Sequence, residues 1–158
     1  MGTGKSAVGN LLAQRLHREF FDTDTLIEQT AGLTIARIFA EKGESSFREL
    51  EKQIIRQVCQ KHEVVIATGG GAIVNVDNAT CLKESGTVIC LTASPETIVQ
   101  RVQGNEDRPL LQGEEPLTKI RSLLTTRAEA YARADVTIDT SALNPSEVVD
   151  MILALVQV

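Results

Sequence analysis

The stretch Gly2-Thr3-Gly4-Lys5-Ser6 matches the second half of the pattern G-x-x-x-x-G-K-[ST] and begins a segment of helical periodicity. Glycines let backbone N–H groups curve around phosphate oxygens, and the N-terminus of a helix favours negative charge. In such a loop Lys5 reaches the β- and γ-phosphates of a nucleotide, and the Ser6 hydroxyl ligates Mg²⁺. The stretch therefore predicts a cradle for a nucleoside triphosphate, and with it an α/β fold.

Two parts of this pattern lie outside the sequence. The first glycine would stand two positions before Met1, and no apolar strand precedes the loop. The pattern predicts a chain that is short by about ten residues, one strand and the first Gly-x of the loop. A truncated chain or a misplaced start codon would produce such a beginning.

Short apolar runs alternate with helical segments along the rest of the chain. The runs fall at residues 20–21, 64–67, 87–91 and 136–139. This alternation predicts a parallel sheet buried between helices, the layered α/β class. Because the sequence contains no internal repeat, low-complexity tract or interdomain linker, we expect one domain over residues 1–158.

Several helix ends can be predicted from capping residues. Thr34 is expected to cap a short helix that stops at Gly43, and Ser45 or Ser46 to cap a longer one that follows. Ser94 before a proline indicates another helix start. The segment 144–147, Asn-Pro-Ser-Glu, has capping-box spacing before the last helix.

The charge balance narrows the classes of partner. With 16 basic and 21 acidic residues, the formal net charge is −5. Such a surface argues against non-specific binding to nucleic acid or to an anionic membrane. The three cysteines are scattered without a C-x-x-C pair, which indicates reduced thiols and a cytoplasmic protein.

Polar residues after two apolar runs are candidates for the acceptor side of a phosphoryl transfer. Asp22-Thr23-Asp24 follows the first run, where carboxylates at a sheet edge can support Mg²⁺ or accept a hydroxyl proton; an ordinary Asp-rich turn is the alternative. Gly69-Gly70-Gly71 follows the second run and permits close approach of backbone to a ligand, or forms a plain flexible loop. Arg48 has Glu51 three residues later, an arrangement that also occurs in surface ion pairs.

Two further arginines would supply positive charge to this acidic protein. Arg108 lies in a segment at 104–116 that is rich in Gly, Pro and charge and reads as a mobile loop, and Arg127 lies on the predicted helix after it. Arginine at such positions suits the binding of phosphate and carboxylate groups.

In order and spacing, these features resemble the shikimate kinase family over essentially the whole chain. The matching stretches are Gly2–Ser6, Phe21–Asp24, Ile27-Glu28, Ile38-Phe39, Gly43-Glu44, Phe47-Arg48, Glu51, Gly69–Gly71, Arg108–Leu111, Arg127 with Tyr131, and Asn144-Pro145. The resemblance implies a three-layer P-loop NTPase fold like that of nucleoside-monophosphate kinases. It also implies a substrate-binding segment at about residues 24–51 and a lid at about 104–116.

The resemblance also implies roles for individual residues. ATP would contact Gly2, Thr3, Gly4, Lys5, Ser6, Ala7, Arg101, Arg108 and Pro145. Asp24 would act as base for the 3-hydroxyl of shikimate, with Lys5 and Arg108 as the other catalytic residues. Shikimate would contact Asp24, Arg48, Gly69, Gly70, Gly71 and Arg127, and Mg²⁺ would be held by Ser6 and, through water, by Asp22.

The activity so implied is phosphorylation of shikimate by ATP in aromatic amino acid biosynthesis, by a monomer. A related kinase of gluconate is an alternative, since it shares the fold and takes a polyhydroxy acid. A non-catalytic module that binds shikimate is a second alternative. Turnover of each acid by the chain separates the three.

Overall fold

The computed structural model describes residues 2–102 and 115–156. Its strands are β1 Glu19–Asp22, β2 Val64–Ala67, β3 Ile89–Thr92 and β4 Val136–Asp139. Its helices are α1 Lys5–Leu16, α2 Thr23–Ala31, α3 Ile35–Val58, α4 Val76–Ser85, α5 Pro95–Val102, α6 Pro116–Tyr131 and α7 Pro145–Val156, with a short 3₁₀ turn at Ala72–Val74. Arg108 and most of the predicted lid lie outside the described residues.

The capping residues identified in the sequence begin three of these helices. Thr34 Oγ1 accepts a hydrogen bond from the Arg37 N–H at 3.3 Å, and Ser94 Oγ accepts one from the Thr97 N–H at 3.1 Å. At the start of α7 the capping box is complete. Asn144 Oδ1 accepts from the Glu147 N–H at 3.1 Å, and Glu147 Oε2 accepts from the Asn144 N–H at 2.8 Å. Each bond satisfies a backbone donor that the first helical turn leaves unpaired.

One predicted cap is wrong. The backbone breaks at Gly43, with φ 80° and ψ 169°, as the stop signal indicated, yet the helix resumes at once and α3 continues to Val58. The Ser46 hydroxyl donates to the Lys42 carbonyl oxygen at 2.9 Å instead of accepting from a following N–H. Because the second segment starts directly after Gly43, Ser46 already lies within it and cannot be its cap.

The four strands form two parallel pairs. β1 lies beside β2 with Phe20 opposite Val65, and β3 lies beside β4 with Cys90 opposite Thr137. Among the described residues, no strand joins one pair to the other. β2 and β3 both line a cavity of about 530 Å³, which Leu12 of α1 also lines.

Helices cover the two pairs with separate apolar clusters. One cluster joins α1, β4 and α7 through Val8, Leu12, Ile138, Val148, Val149 and Ile152. Another joins α2 and α3 through Ile27, Ile38, Phe47, Ile54 and Val58 and packs on strand residues Phe21 and Ile66. No helix in the described part of the chain combines the length and the apolarity that crossing a bilayer requires. Parallel strands packed against helices agree with the predicted α/β class.

Candidate active site

The phosphate-binding stretch leads directly into α1. Gly4 precedes the helix with φ 88°, a left-handed conformation that side chains rarely adopt, and Lys5 is the first helical residue. Thr3 is only 5% exposed, and its carbonyl oxygen accepts a hydrogen bond from Thr140 Oγ1 at 3.2 Å. Its own hydroxyl has no hydrogen-bond partner among the described residues. The loop is therefore held from the end of β4 at the point where phosphate would bind.

Asp22 joins the phosphate loop to the end of β1. The Ser6 hydroxyl donates to Asp22 Oδ2 at 2.6 Å. The other carboxylate oxygen, Oδ1, accepts from the Asp24 N–H at 3.0 Å and so caps α2. The sequence did not indicate this capping role, which fixes the direction in which Asp24 leaves the strand.

Asp24 lies half-buried in the first turn of α2. Burial raises the pKa of its carboxyl above the ordinary value, and the neighbouring Asp22 charge raises it further. The positive charge of Lys5 opposes this rise, so the Asp24 carboxyl lies within electrostatic range of the phosphate loop. A half-buried carboxylate with a raised pKa next to a phosphate cradle is suited to accept a proton.

The Arg48–Glu51 pair is part of the site and is not a surface ion pair. Glu51 is 1% exposed, and its Oε2 accepts from Arg48 Nη1 at 2.8 Å. Arg48 also contacts Glu44 at 3.0 Å and lies over the Phe47 ring, 5.0 Å from its centroid. Glu51 Oε1 has no hydrogen-bond partner among the described residues. Burial raises the pKa of Glu51 despite the opposing hydrogen bond from Arg48.

Gly69 and Gly71 let the backbone of the loop after β2 come close to the charged side chains of Asp24, Glu51 and Arg48. A Cβ atom at Gly69 would lie 2.9 Å from Asp24 Oδ1 and 3.2 Å from Glu51 Oε1. A Cβ atom at Gly71 would lie 2.9 Å from Arg48 Nη1. At 2.9 Å a Cβ atom would force the Asp24 or Arg48 side chain to move, so the two glycines let the loop after β2 pass close to both side chains as they stand.

Arg127 and Arg101 occupy different surroundings. Arg127 makes no hydrogen bond or ion pair with any residue that the structure describes, but its charge acts on Glu51. Arg101 donates to Thr140 Oγ1 at 2.9 Å and to the Thr140 carbonyl oxygen at 2.6 Å. Arg101 is thus held at the connection from β4 to α7, where Pro145 begins the helix. Asp24, Arg48, Gly69 and Arg127 are brought together around Glu51.

Two residues named only as parts of motifs, without a role of their own, hold the glycine loop. The side chain of Thr23 is fully buried, and its Oγ1 accepts from the Gly69 N–H at 3.3 Å. The Tyr131 hydroxyl donates to the Gly70 carbonyl oxygen at 2.8 Å. Tyr131 is the only tyrosine in the chain and stands four residues after Arg127, on the same face of a helix, which is the signal that could have revealed it.

Comparison with known proteins shows which protein family has this arrangement. A family model described as shikimate kinase matches residues 1–157. The chain belongs to the shikimate kinase family. A curated shikimate kinase from Thermodesulfovibrio yellowstonii is 43% identical over 97% of this chain and 88% of its own length. One from Geobacter sulfurreducens is 45% identical over 99% of this chain and 87% of its own length.

Solved structures agree with this membership. Shikimate kinase from Acinetobacter baumannii, solved in complex with shikimate, has a TM-score of 0.96 at 40% identity and covers 99% of this chain and 88% of its own. The enzyme from Aquifex aeolicus has a TM-score of 0.86 at 36% identity over 99% of this chain and 92% of its own. The predicted P-loop fold and kinase class are confirmed, and these matches do not favour a gluconate kinase or a non-catalytic module.

Proposed function

We propose that this chain transfers the terminal phosphoryl group of ATP to the 3-hydroxyl of shikimate, giving shikimate 3-phosphate and ADP for aromatic amino acid biosynthesis. The observation that carries the proposal is the convergence of Asp24, the Arg48–Glu51 pair and Gly69 beside the phosphate loop. The Asp24 carboxylate can accept hydrogen bonds from the hydroxyl groups of shikimate, and the arginines can bind the carboxylate of shikimate. Phosphoryl transfer depends mainly on positioning and on stabilisation of charge, which this arrangement provides.

The nucleotide half of the site lies at the N-terminus of α1. We assign Gly2, Thr3, Gly4, Lys5, Ser6 and Ala7 to the ATP phosphates, and Arg101 and Pro145 to the adenine. The backbone N–H groups of the first helical turn favour phosphate, and the Lys5 ammonium stabilises charge on the transferred group. Arg108, in the proposed lid at 104–116, completes the proposed catalytic set with Lys5 and Asp24.

Ser6 and Asp22 fit a Mg²⁺ ion bound together with ATP. Their side-chain oxygens lie 2.6 Å apart, and both are hard donors of the kind that Mg²⁺ prefers. The described residues contain no group of three His, Cys, Asp or Glu that could hold a metal ion. Mg²⁺ is usually bound by one or two protein side chains together with substrate phosphates and water, and Ser6 and Asp22 would supply the protein part. The ion would neutralise phosphate charge, with Asp22 acting through water.

On the acceptor side, Asp24 takes the proton of the 3-hydroxyl as its oxygen attacks phosphorus. Arg48 and Arg127 hold the substrate carboxylate, and Gly69, Gly70 and Gly71 cover the ring. Glu51 holds Arg48 in place by its buried hydrogen bond. Two cations on one carboxylate select an acid, and the half-buried Asp24 selects an acceptor with hydroxyl groups.

We further propose that residues 1–158 act as one domain and as a monomer, with a substrate-binding segment at about 24–51. We also place the enzyme in the cytoplasm, where the thiols of Cys59, Cys81 and Cys90 would stay reduced.

Measurement of ADP release with shikimate and gluconate in separate reactions tests the proposed function. We expect turnover of shikimate and little or none of gluconate. Turnover of gluconate alone would assign the chain to a different acceptor. Tight binding of shikimate and ATP without any ADP would make the chain a binding module.

Replacing Arg127 with alanine is expected to raise the KM for shikimate about thirtyfold and to leave the KM for ATP nearly unchanged, because one of two cations on the carboxylate is lost. Stability should be unaffected, since no described residue loses a hydrogen bond. Arg121→Ala is the matched control, because Arg121 lies on the same helix and its exposed side chain pairs with exposed Glu96 at 2.8 Å. Equal effects on both KM values would contradict the assigned role of Arg127.

The rate should fall on the acidic side of neutrality. Asp24 must be deprotonated to act as base, and burial and the Asp22 charge raise its pKa above the ordinary 3.8, whereas Lys5 lowers it. Activity is therefore present above the raised pKa and is lost as the pH falls through it. This loss of activity at low pH is measured by recording kcat/KM for shikimate as a function of pH. A rate that stays constant to about pH 4 would exclude a raised Asp24 pKa in the free enzyme.

A further inference from the structure

We propose that Tyr131 is a positioning residue that orients the Gly70–Gly71 peptide toward the acceptor substrate. The inference rests on the proposed function, since it concerns the same shikimate subsite. In addition to the packing of its ring, the Tyr131 hydroxyl sets the direction of the Gly71 backbone N–H group.

Tyr131 provides the middle of three successive anchors on the glycine loop. Thr23, from α2, accepts from the Gly69 N–H at 3.3 Å. Tyr131, from α6, donates to the Gly70 carbonyl oxygen at 2.8 Å. The buried Asn78 side chain, from α4, donates to the Ala72 carbonyl oxygen at 3.2 Å. Side chains from three helices therefore hold the loop at Gly69, Gly70 and Ala72.

The Tyr131 bond determines where the next backbone donor points. The described peptide bonds include no cis bond, and in a trans peptide the C=O and N–H groups point in opposite directions. With the Gly70 carbonyl directed at Tyr131, the Gly71 N–H is directed away from Tyr131. No described residue accepts a hydrogen bond from that N–H. The Gly71 N–H is thus free to donate to an oxygen of the substrate.

Gly71 lies close to Arg48, and the Tyr131–Gly70 hydrogen bond connects its loop to the helix of Arg127. Gly71 lies against Arg48, since a Cβ atom on it would be 2.9 Å from Arg48 Nη1. Tyr131 and Arg127 are four residues apart on α6 and share one face of the helix. The Tyr131–Gly70 hydrogen bond therefore ties the face of α6 that carries Arg127 to the glycine loop. The Tyr131 hydroxyl thus contacts the loop beside Arg48 from the same helix face that carries Arg127.

The test is Tyr131→Phe, which keeps the ring and removes only the hydroxyl. We expect the KM for shikimate to rise about five- to tenfold, the loss expected for one hydrogen bond, with kcat changed by less than about twofold. The KM for ATP should stay unchanged. In ¹⁵N-labelled protein, the Gly71 amide resonance should shift on adding shikimate to the wild type and respond less in the variant.

Thr125→Val is the matched control, because the exposed Thr125 hydroxyl also donates to a backbone carbonyl on α6, that of Arg121 at 3.0 Å. It should leave both KM values unchanged. A Tyr131→Phe enzyme with a lower melting temperature but an unchanged shikimate KM would overturn the inference, as would a parallel rise in both KM values. A wild type that does not phosphorylate shikimate would overturn the proposed function, and this inference with it.

Discussion

Asp24→Asn is expected to lower kcat for shikimate about a thousandfold, the loss typical of a missing general base. An amide cannot accept the proton of the attacking hydroxyl, although it fills the same space. Binding of ATP should persist, because the phosphate loop is built from other residues. Single-turnover ADP formation and nucleotide binding by calorimetry measure the two effects separately. A kcat near the wild-type value would remove Asp24 as the base.

The stability of the Asp24→Asn variant distinguishes lost chemistry from lost structure. Burial and the charge of Asp22 disfavour the charged form of Asp24 in the folded chain, so removing the charge should not lower the melting temperature. Asp150→Asn is the matched control, because Asp150 is 59% exposed and pairs with Arg15, which has no assigned role on the acceptor side. It should leave both activity and stability almost unchanged.

Arg48→Ala is expected to damage both substrate binding and folding. The KM for shikimate should rise about a hundredfold, because a charge-assisted contact with the carboxylate is lost. The free energy of unfolding should fall by about 3 kcal/mol at neutral pH, since removal of one partner leaves a buried charge unpaired. That charge is the carboxylate of Glu51, which is 1% exposed. Denaturant unfolding and steady-state kinetics measure the two losses.

The unpaired Glu51 also predicts how Arg48→Ala should respond to pH and to a second substitution. Its pKa is already raised by burial, and loss of Arg48 removes a group that lowers it. The folded state then binds more protons than the unfolded state, so the lost stability should return as the pH falls. Adding Glu51→Gln should restore more than half of the loss at neutral pH.

Arg37→Ala is the control for the Arg48 substitution, since Arg37 lies in the part of α3 before the break at Gly43 and pairs with Glu41 at 2.6 Å with both side chains exposed. It should cost less than about 0.5 kcal/mol. An Arg48→Ala chain as stable as this control would show that Glu51 is not left as an uncompensated charge.

Local structure was predictable wherever a few neighbouring residues satisfy each other. The capping box at Asn144 and Glu147 and the cap at Ser94 follow from hydrogen bonds over three residues. The break at Gly43 was equally visible. The Ser46 cap was wrong because serine near a helix start can either accept from a later N–H or donate to an earlier carbonyl. Local pattern does not choose between these bonds.

The candidate site was only partly predictable. Asp24, Arg48, Gly69 and Arg127 were named from motifs, and the structure brings them together around Glu51. The burial of Glu51 could not be read from its i,i+3 spacing, because the same spacing occurs in exposed pairs. Burial depends on the loop after β2 passing over it. Tyr131 reaches Gly70 across 61 positions of sequence, a distance that no local pattern spans.

By itself the sequence determined the phosphate loop and the alternation of strands and helices, because each depends on residues close together in the chain. The order and spacing of its motifs along the whole chain determined the family resemblance. The tertiary structure decided which polar groups lose contact with water and which partners they find. It buried Glu51 against Arg48, raised the pKa of Asp24 beside Asp22, and directed the Tyr131 hydroxyl to Gly70. Desolvation and hydrogen-bond direction are properties of packed elements, so they exist only once the helices and strands have met.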